Sequence, residues 1–331
     1  MSLIGVALLL FIAWVLSSNR HAINWRTVGL AFVLQTAIAG IALFTDWGHA
    51  ALLVLAESVT ALLDYSRAGS EFVFGGLVSE PSNLGFIFAF NVLPVIIFFS
   101  ALIAVLYYLR IMQWVIRLIG GGLRYLLATS HTESLSAAAN IFVGQAEAPL
   151  VAKPYIPTMT GSELFAVMVG GMASIAGSVM AGYVALGIPL DYLLAASFMA
   201  APGGLLMAKL LEPETQEPIQ PGTRAAPDSD AYVNVIDAAA SGAMNGLNMA
   251  AGIAAMLIAF IALIALVNGL LGWMGESVGL QGVTLQAALG ILFQPLAWAL
   301  GIPWSEAELA GGLIGQKLVL NEFVAYVGYM E

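Results

Sequence analysis

The sequence predicts an all-α polytopic membrane protein, in which transmembrane helices accompany two re-entrant hairpins and broken helices in an inverted-repeat-like core. Its 331 residues are 60% hydrophobic and only 9% charged, whereas an average soluble domain carries about 25% charged residues. Several apolar runs approach or exceed the ~20 residues that span a bilayer. Two further stretches place short apolar pieces around a polar centre, and these cannot be ordinary spans.

The charge and cysteine content exclude several classes of function. The formal net charge is −10, from 10 Lys and Arg against 20 Asp and Glu. Nucleic-acid binding is therefore not expected, because it needs a basic face that replaces counterions. The chain has no cysteine, which excludes disulfides, thiolate metal sites and cysteine nucleophiles. His21, His49 and His131 are scattered, without the spacing of metal ligands.

Four segments are predicted in the N-terminal third. Residues 3–17 and 28–44 are apolar helices. The first lacks the basic start and the small-residue cleavage site of a signal peptide, which favours a retained helix. Residues 46–64 mix acidic and apolar side chains, as expected of a helix at the membrane interface. Residues 83–109 form a long span, and Arg110, Arg117 and Arg124 follow it in an amphipathic stretch.

Basic residues indicate the orientation, because Lys and Arg concentrate in cytoplasmic loops. Arg20 and Arg26 follow the first helix, and the arginines of the amphipathic stretch follow the third. Both groups are cytoplasmic if the N-terminus lies outside. The segment between the second and third helices is then external, and it is acidic with a single arginine, Arg67. We therefore predict an external N-terminus.

A Pro-rich acidic loop over residues 212–230 divides the remainder of the chain. Spans are predicted over residues 164–186 and 190–211, and residues 234–271 are predicted to form an interfacial lead-in followed by another span. Two apolar segments close the chain, over residues 285–300, interrupted at Pro295, and over residues 309–329. We predict a scaffold from residues 1–128 and 234–275, a transport core from residues 129–211 and 276–331, and a cytoplasmic loop over residues 212–233.

Residues 130–155 form the first stretch that is not an ordinary span. Two apolar halves of about ten residues flank the polar centre Gly144-Gln145-Ala146-Glu147, and at 1.5 Å per residue neither crosses ~30 Å of hydrocarbon. Both halves are predicted to enter from one face and to turn near the midplane, which is tolerated only against protein or a water-filled cavity. Asn140, Gln145 and Glu147 then face a solute. The alternative is a segment that lies flat on the membrane with Glu147 in water.

Residues 285–304 have the same outline around Phe293-Gln294-Pro295, and the next helix carries Asn321-Glu322-Phe323. Hairpin plus span therefore occurs twice, as in transporters built from inverted repeats with broken helices. Two unrelated kinked helices are the alternative. Ser174 lies on a small-residue helix face, which favours close helix packing over a local break that frees its hydroxyl for a small cation.

Five stretches carry a more specific signal. They are residues 93–102 (LPVIIFFSAL) with 106–109 (LYYL), 144–149 (GQAEAP), 159–165 (MTGSELF), 171–178 (GMASIAGS) and 321–326 (NEFVAY). In this order they resemble the concentrative nucleoside transporter family in its bacterial form. The resemblance covers the whole chain from the first helix onward. It implies a multi-pass homotrimer of the bacterial inner membrane that couples nucleoside uptake to a cation gradient.

The resemblance also implies which residues hold the substrate. The base contacts of the family match Gln145, Ala146, Glu147 and Val179. The ribose contact matches the acid of the late broken helix, Glu322, with Asn321 beside it. An amide offers a donor and an acceptor to a base edge, and a carboxylate accepts from ribose hydroxyls.

The sodium site of the family matches Asn140, Val143, Ser174 and Ile175. Carbonyl and hydroxyl oxygens suit sodium, so sodium is the expected coupling ion, with a proton as the alternative. Family members commonly have a hydroxyl residue where this chain has Ala146, which leaves the choice between purines and pyrimidines open. They also continue with a further helix that supplies ribose contacts. The chain ends at Glu331, which implies either a fragment or a site without those contacts.

Together these observations predict a secondary active symporter, not an enzyme, that imports a uridine-like nucleoside by alternating access. Alternatives are proton coupling, another small polar solute on the same fold, and a passive channel. An intramembrane hydrolase would use Ser174 or Ser178 with His131 as its base, but no Gly-x-Ser-x-Gly pattern surrounds either serine.

Overall fold

The computed structural model describes residues 2–78, 87–142, 152–175, 177–218, 232–277, 279 and 282–330. In these ranges the regular structure consists of α-helices and short 3-10 helices. The α-helices are α1 (Ser2–Val15), α2 (Trp25–Phe44), α3 (Asp46–Phe74), α4 (Phe88–Asn91), α5 (Leu93–Tyr108), α6 (Ile111–Leu127), α7 (His131–Ala139), α8 (Gly161–Ala173), α9 (Gly177–Ala185), α10 (Leu190–Leu211), α11 (Val235–Ser277), α12 (Leu285–Ala299), α13 (Trp304–Val319) and α14 (Glu322–Met330). The contacts divide the chain into two units, residues 13–250 and residues 1–12 with 251–331.

Several helices are long and apolar enough to cross a bilayer. Among the described residues these are Trp25–Phe44, Asp46–Leu77, Phe88–Tyr108, Leu190–Leu211 and Val235–Ser277, and α12 with α13 adds a sixth span if that bent pair counts as one. This confirms the predicted multi-pass helical class. The helix predicted over residues 46–64 continues to Phe74. Its composition also suits a span, so its location at the interface stays a prediction.

In the unit of residues 13–250, small residues let helices pack closely. Ala31 on α2 is fully buried, and a Cβ at Gly203 on α10 would lie 2.8 Å from the Gln35 amide nitrogen on α2. A Cβ at Gly120 on α6 would lie 3.1 Å from the Ser134 carbonyl oxygen on α7. Close packing of this kind is typical of membrane helices, because lipid offers no hydrophobic force between them.

The second unit contains a helical hairpin. Helices α12 and α13 meet at a bend of 116°. A Cβ at Gly311 would lie 2.7 Å from the carbonyl oxygen of Gly290, so the two backbones pack against each other. Gly301 makes the turn at φ +108°. The Gly301 N–H donates to the Trp298 carbonyl at 3.0 Å and the Ile302 N–H donates to the Ala297 carbonyl at 3.2 Å, which together form a Schellman motif.

The interruption predicted at Phe293-Gln294-Pro295 is wrong, because α12 continues through Pro295 to Ala299. Proline removes one backbone donor, and membrane helices tolerate this loss where neighbouring groups satisfy the freed carbonyl. Two predicted spans are interrupted instead. Residues 164–186 are divided between α8 and α9, and residues 309–329 are divided between α13 and α14.

Candidate functional site

The N-termini of α7 and α8 lie together, and each is closed by a capping box. On α7 the Ser130 hydroxyl accepts from the Glu133 N–H, and the Glu133 carboxylate accepts from the Ser130 N–H at 2.6 Å. Thr160 and Glu163 repeat this arrangement on α8. Both acids therefore satisfy backbone donors that the first helical turn leaves free.

A second set of bonds joins the two helix starts to α10. The Lys209 ammonium lies 2.7 Å from the Glu133 carboxylate and donates to the Ser162 hydroxyl at 2.9 Å. The Thr132 hydroxyl donates to the Glu163 carboxylate at 2.8 Å. Lys209, Glu133 and Glu163 are all buried. Each buried charge thus has polar partners, and α7, α8 and α10 are tied together at one end.

Glu214, just after α10, completes the network. Its carboxylate accepts from the Thr160 hydroxyl at 2.8 Å and lies 3.7 Å from the Lys209 ammonium. A cavity of about 320 Å³ borders this group, with Asn24, Thr27, Glu133, Lys209 and Glu214 in its lining. This network was not predicted from the sequence. Its signal was a lysine inside an otherwise apolar predicted span.

Asn140 lies at the opposite end of α7 and has an unsatisfied side chain. It is 2% exposed, and neither its amide oxygen nor its amide nitrogen has a hydrogen-bond partner among the described residues. A buried polar group without a partner costs about 1–3 kcal/mol, so Asn140 is a candidate for a functional role. A Cβ at Gly170 on α8 would lie 2.9 Å from the Asn140 amide nitrogen.

The helix that faces Asn140 is broken one turn further on. Helix α8 ends at Ala173, Ser174 is extended at φ −104° and ψ 160°, and α9 begins at Gly177. The small-residue face therefore contains a break and also packs closely, since a Cβ at Gly204 on α10 would lie 3.5 Å from the Gly170 Cα; cation binding by Ser174 stays a prediction. A break leaves backbone carbonyls without helical partners. With the Asn140 oxygen and the Ser174 hydroxyl they provide the hard oxygen donors that a small cation prefers.

The remaining predicted site residues are distributed as follows. Val179 is buried in α9, and Ile175 lies within the break. Val143, Gln145, Ala146 and Glu147 lie outside the described residues, as does the predicted turn of the first hairpin.

Asn321 and Glu322 lie at the second break, in the unit of residues 1–12 and 251–331. Helix α13 ends at Val319, and Leu320 has φ −115° and ψ −92°. The Asn321 side-chain oxygen accepts from the Val324 N–H at 2.9 Å, so Asn321 caps α14. Glu322 is then in the first turn of α14, where the helix dipole favours a negative charge.

These features define a class of protein. Long apolar helices, a bent helical pair and two broken helices whose ends carry polar side chains form the architecture of secondary transporters. The Asn140 amide, which has no hydrogen-bond partner among the described residues and lies near a helix break, is the candidate ligand-binding group.

Comparison with known proteins gives the family. Residues 4–77 match the Na+ dependent nucleoside transporter N-terminus, residues 89–190 the nucleoside recognition (Gate) model, and residues 192–331 the Na+ dependent nucleoside transporter C-terminus. The nucleoside permease NupC of Helicobacter pylori is 51% identical over 98% of this chain and 78% of the permease. The mouse sodium/nucleoside cotransporter 1 is 41% identical over 98% of this chain and 50% of that protein.

Solved structures agree with this assignment. CNTnw in an inward-facing substrate-bound state has a TM-score of 0.95 and 55% identity, over 99% of this chain and 78% of that one. A variant of CNTnw in an outward-facing state also has a TM-score of 0.95. The chain therefore belongs to the concentrative nucleoside transporter family. This confirms the resemblance found in the sequence, and the family is one of transporters rather than of enzymes.

Proposed function

We propose that this chain is a sodium-driven nucleoside symporter of the bacterial inner membrane that works by alternating access. The buried, unsatisfied amide of Asn140 beside the break at Ser174 is the observation that carries the proposal. Family membership supports the substrate class and the ion. The chain is equally similar to CNTnw structures in inward-facing and outward-facing states, which supports alternation between two conformations.

The proposed sodium site consists of Asn140, Val143, Ser174 and Ile175. The two ends of α7 support it differently. The first is fixed by Lys209 and the capping box, whereas the second ends in Asn140, whose amide has no hydrogen-bond partner among the described residues. A bound cation would hold the end of α7 against the broken α8, and with it the segment that leads to Gln145. Substrate would then bind more tightly with sodium present, and sodium more tightly with substrate, because coupling is reciprocal.

We assign the substrate contacts to Gln145, Ala146, Glu147 and Val179 for the base, and to Glu322 and Asn321 for the ribose. The Glu322 carboxylate would accept from ribose hydroxyls. The Asn321 side-chain oxygen caps α14. The N–H groups of the same amide would then donate to the substrate. A uridine-like nucleoside, a homotrimer and an external N-terminus complete the proposal.

Proton coupling is the second candidate. It would use an intramembrane carboxylate, such as Glu147 or Glu322, as the carrier of the proton. The oxygens of the proposed site, which include the Asn140 amide and the Ser174 hydroxyl, favour sodium, since a proton needs no such set of ligands.

Equilibrium binding distinguishes the two ions. Purified protein would be titrated with radiolabelled uridine at several sodium concentrations, with choline as the replacement ion and at constant pH. We expect uridine affinity to rise with sodium. The Asn140→Ala variant should lose this dependence, whereas the Asn19→Ala control, at an exposed position without a capping bond, should retain it. Sodium-independent binding in the unmodified protein would contradict the sodium site.

A further inference from the structure

Helix α6 has three distinct faces. Met112, Ile116, Gly120, Leu123 and Leu127 are buried, and Gly120 packs against the backbone of α7. Trp114, Leu118 and Tyr125 are exposed, Tyr125 to 87%. Between these two faces lies a row of arginines.

Two of the arginines share one side of the helix and the third precedes it. Arg117 and Arg124 are exposed and seven residues apart, and seven residues complete two turns with a drift of only ~20°. Arg110, also exposed, is the residue just before the first turn of α6. Helix α6 contains no acidic residue. On the helical wheel the arginine row adjoins the face of Trp114 and Tyr125, so cationic and aromatic side chains occupy adjacent surface.

Both ends of α6 have an unusual backbone conformation. Arg110 and Ala128 are the non-glycine residues with positive φ in the described part of the chain, at 61° and 53°. They bracket α6. Helix α5 ends at Tyr108, and the turn at Arg110 separates it from α6. The Gln113 side chain donates to the Tyr107 carbonyl at 2.8 Å across this turn. Left-handed backbone at a residue with a side chain is disfavoured, so uncommon turns mark both ends of α6.

We propose that α6 lies in the membrane interface and binds anionic phospholipid headgroups through Arg110, Arg117 and Arg124. The exposed apolar face enters the acyl region, and the aromatic side chains sit at headgroup level. Guanidinium groups bind phosphate oxygens bidentately. The proposal does not depend on the identity of the substrate. It requires only that the chain resides in a membrane.

The surface has a structural connection to the transport core. Gly120 of α6 packs on Ser134 and Leu135 of α7, the helix that ends in Asn140. Lipid bound to the exposed side of α6 would therefore stabilise the position of α7, which packs against the buried side of α6.

The absence of cysteine from the chain allows a direct test. A Leu118→Cys variant would be labelled with a fluorophore and placed in mixed bilayers of phosphatidylglycerol and phosphatidylcholine, in which only one lipid carries brominated acyl chains. We expect brominated phosphatidylglycerol to quench about threefold more than its bulk fraction predicts, because each basic residue near the surface attracts anionic lipid. A label at Ile258, an exposed residue of α11, serves as the reference site.

The arginines are then neutralised together. Arg110→Gln, Arg117→Gln and Arg124→Gln in the labelled chain should abolish the preference for phosphatidylglycerol. The control neutralises three exposed cations on other elements, Arg26, Arg67 and Lys317, and should leave the preference intact. If the triple variant does not fold, the unmodified arginines can be tested by salt. About 1 M NaCl shortens the Debye length to about 3 Å and should remove most of the preference.

Two results would overturn the proposal. Equal quenching by the two brominated lipids would show that the arginines do not select anionic headgroups. No quenching by either lipid would show that protein, such as a second copy of the chain, covers this face.

Discussion

The Lys209 ammonium lies 2.7 Å from the Glu133 carboxylate, and both side chains are almost completely shielded. The two residues belong to α10 and α7, and their contact joins the end of α10 to the start of α7. Breaking a buried ion pair by removal of one partner leaves an uncompensated charge. This contact, together with the capping boxes, fixes the start of α7 so that Asn140 is presented at its end.

We expect Lys209→Met to destabilise the protein by about 3–5 kcal/mol, because Glu133 then remains buried and charged without its partner. The double variant Lys209→Met with Glu133→Gln should recover part of the loss. The melting temperature in detergent measures both. Lys317→Met, at an exposed lysine, provides the matched control. Equal melting temperatures for Lys209→Met and the unmodified protein would show that the pair is not important for stability.

Gly170 is expected to control sodium affinity. A Cβ at this position would lie 2.9 Å from the Asn140 amide nitrogen, closer than real side chains approach, so the amide must move. We predict that Gly170→Ala raises the sodium concentration for half-maximal uptake about tenfold, as for a residue that positions a ligand. The Gly161→Ala variant adds a methyl group on the same helix with nothing within 4 Å and should leave sodium activation unchanged. A parallel effect in both variants would indicate a general loss of helix stability.

The cap of α14 predicts a difference between two replacements of Asn321. Asn321→Ala removes the acceptor of the Val324 N–H, which costs about 1 kcal/mol and releases the turn that carries Glu322. Asn321→Asp retains an acceptor. We expect the melting temperature to fall for the alanine variant only. Uptake measured beside it separates the two roles of Asn321: an aspartate variant that is stable but inactive indicates that the amide nitrogen contacts the substrate.

Glu322 is expected to act in transport and not in folding. We predict that Glu322→Gln reduces nucleoside uptake about 10–100-fold, since hydrogen bonds to charged groups contribute about 1.5–3 kcal/mol. Its melting temperature should stay near that of the unmodified protein. Glu276→Gln, at the exposed end of α11, removes the same charge elsewhere and should transport normally. Unchanged uptake in Glu322→Gln would exclude this carboxylate from the substrate site.

The sequence predicts helix positions well because their signal is local. Helix α10 begins and ends as predicted, over Leu190–Leu211, since a predominantly apolar run of this length indicates a span. The positions of helix breaks are harder to predict, because their signal in the local sequence is weaker. Proline usually breaks a helix, yet α12 continues through Pro295. The turn is instead made by Gly301, whose φ is +108°.

The site residues also differ in whether the local sequence predicts them. Asn140 and Ser174 could be proposed from the pattern of polar residues in apolar segments and from the resemblance. The ion pair between Glu133 and Lys209 could not, because it joins residues far apart in the chain, and a lysine in an apolar run does not indicate its partner. Only the packing of α7 against α10 brings them together.

Transport by reconstituted protein tests the central claim most directly. Radiolabelled uridine uptake would be followed in proteoliposomes with an inward sodium gradient, and compared with choline at matched pH. We expect uridine to accumulate above its equilibrium level only with the sodium gradient. Equilibration at the same rate in sodium and choline, or accumulation driven by a pH gradient alone, would contradict sodium-coupled transport.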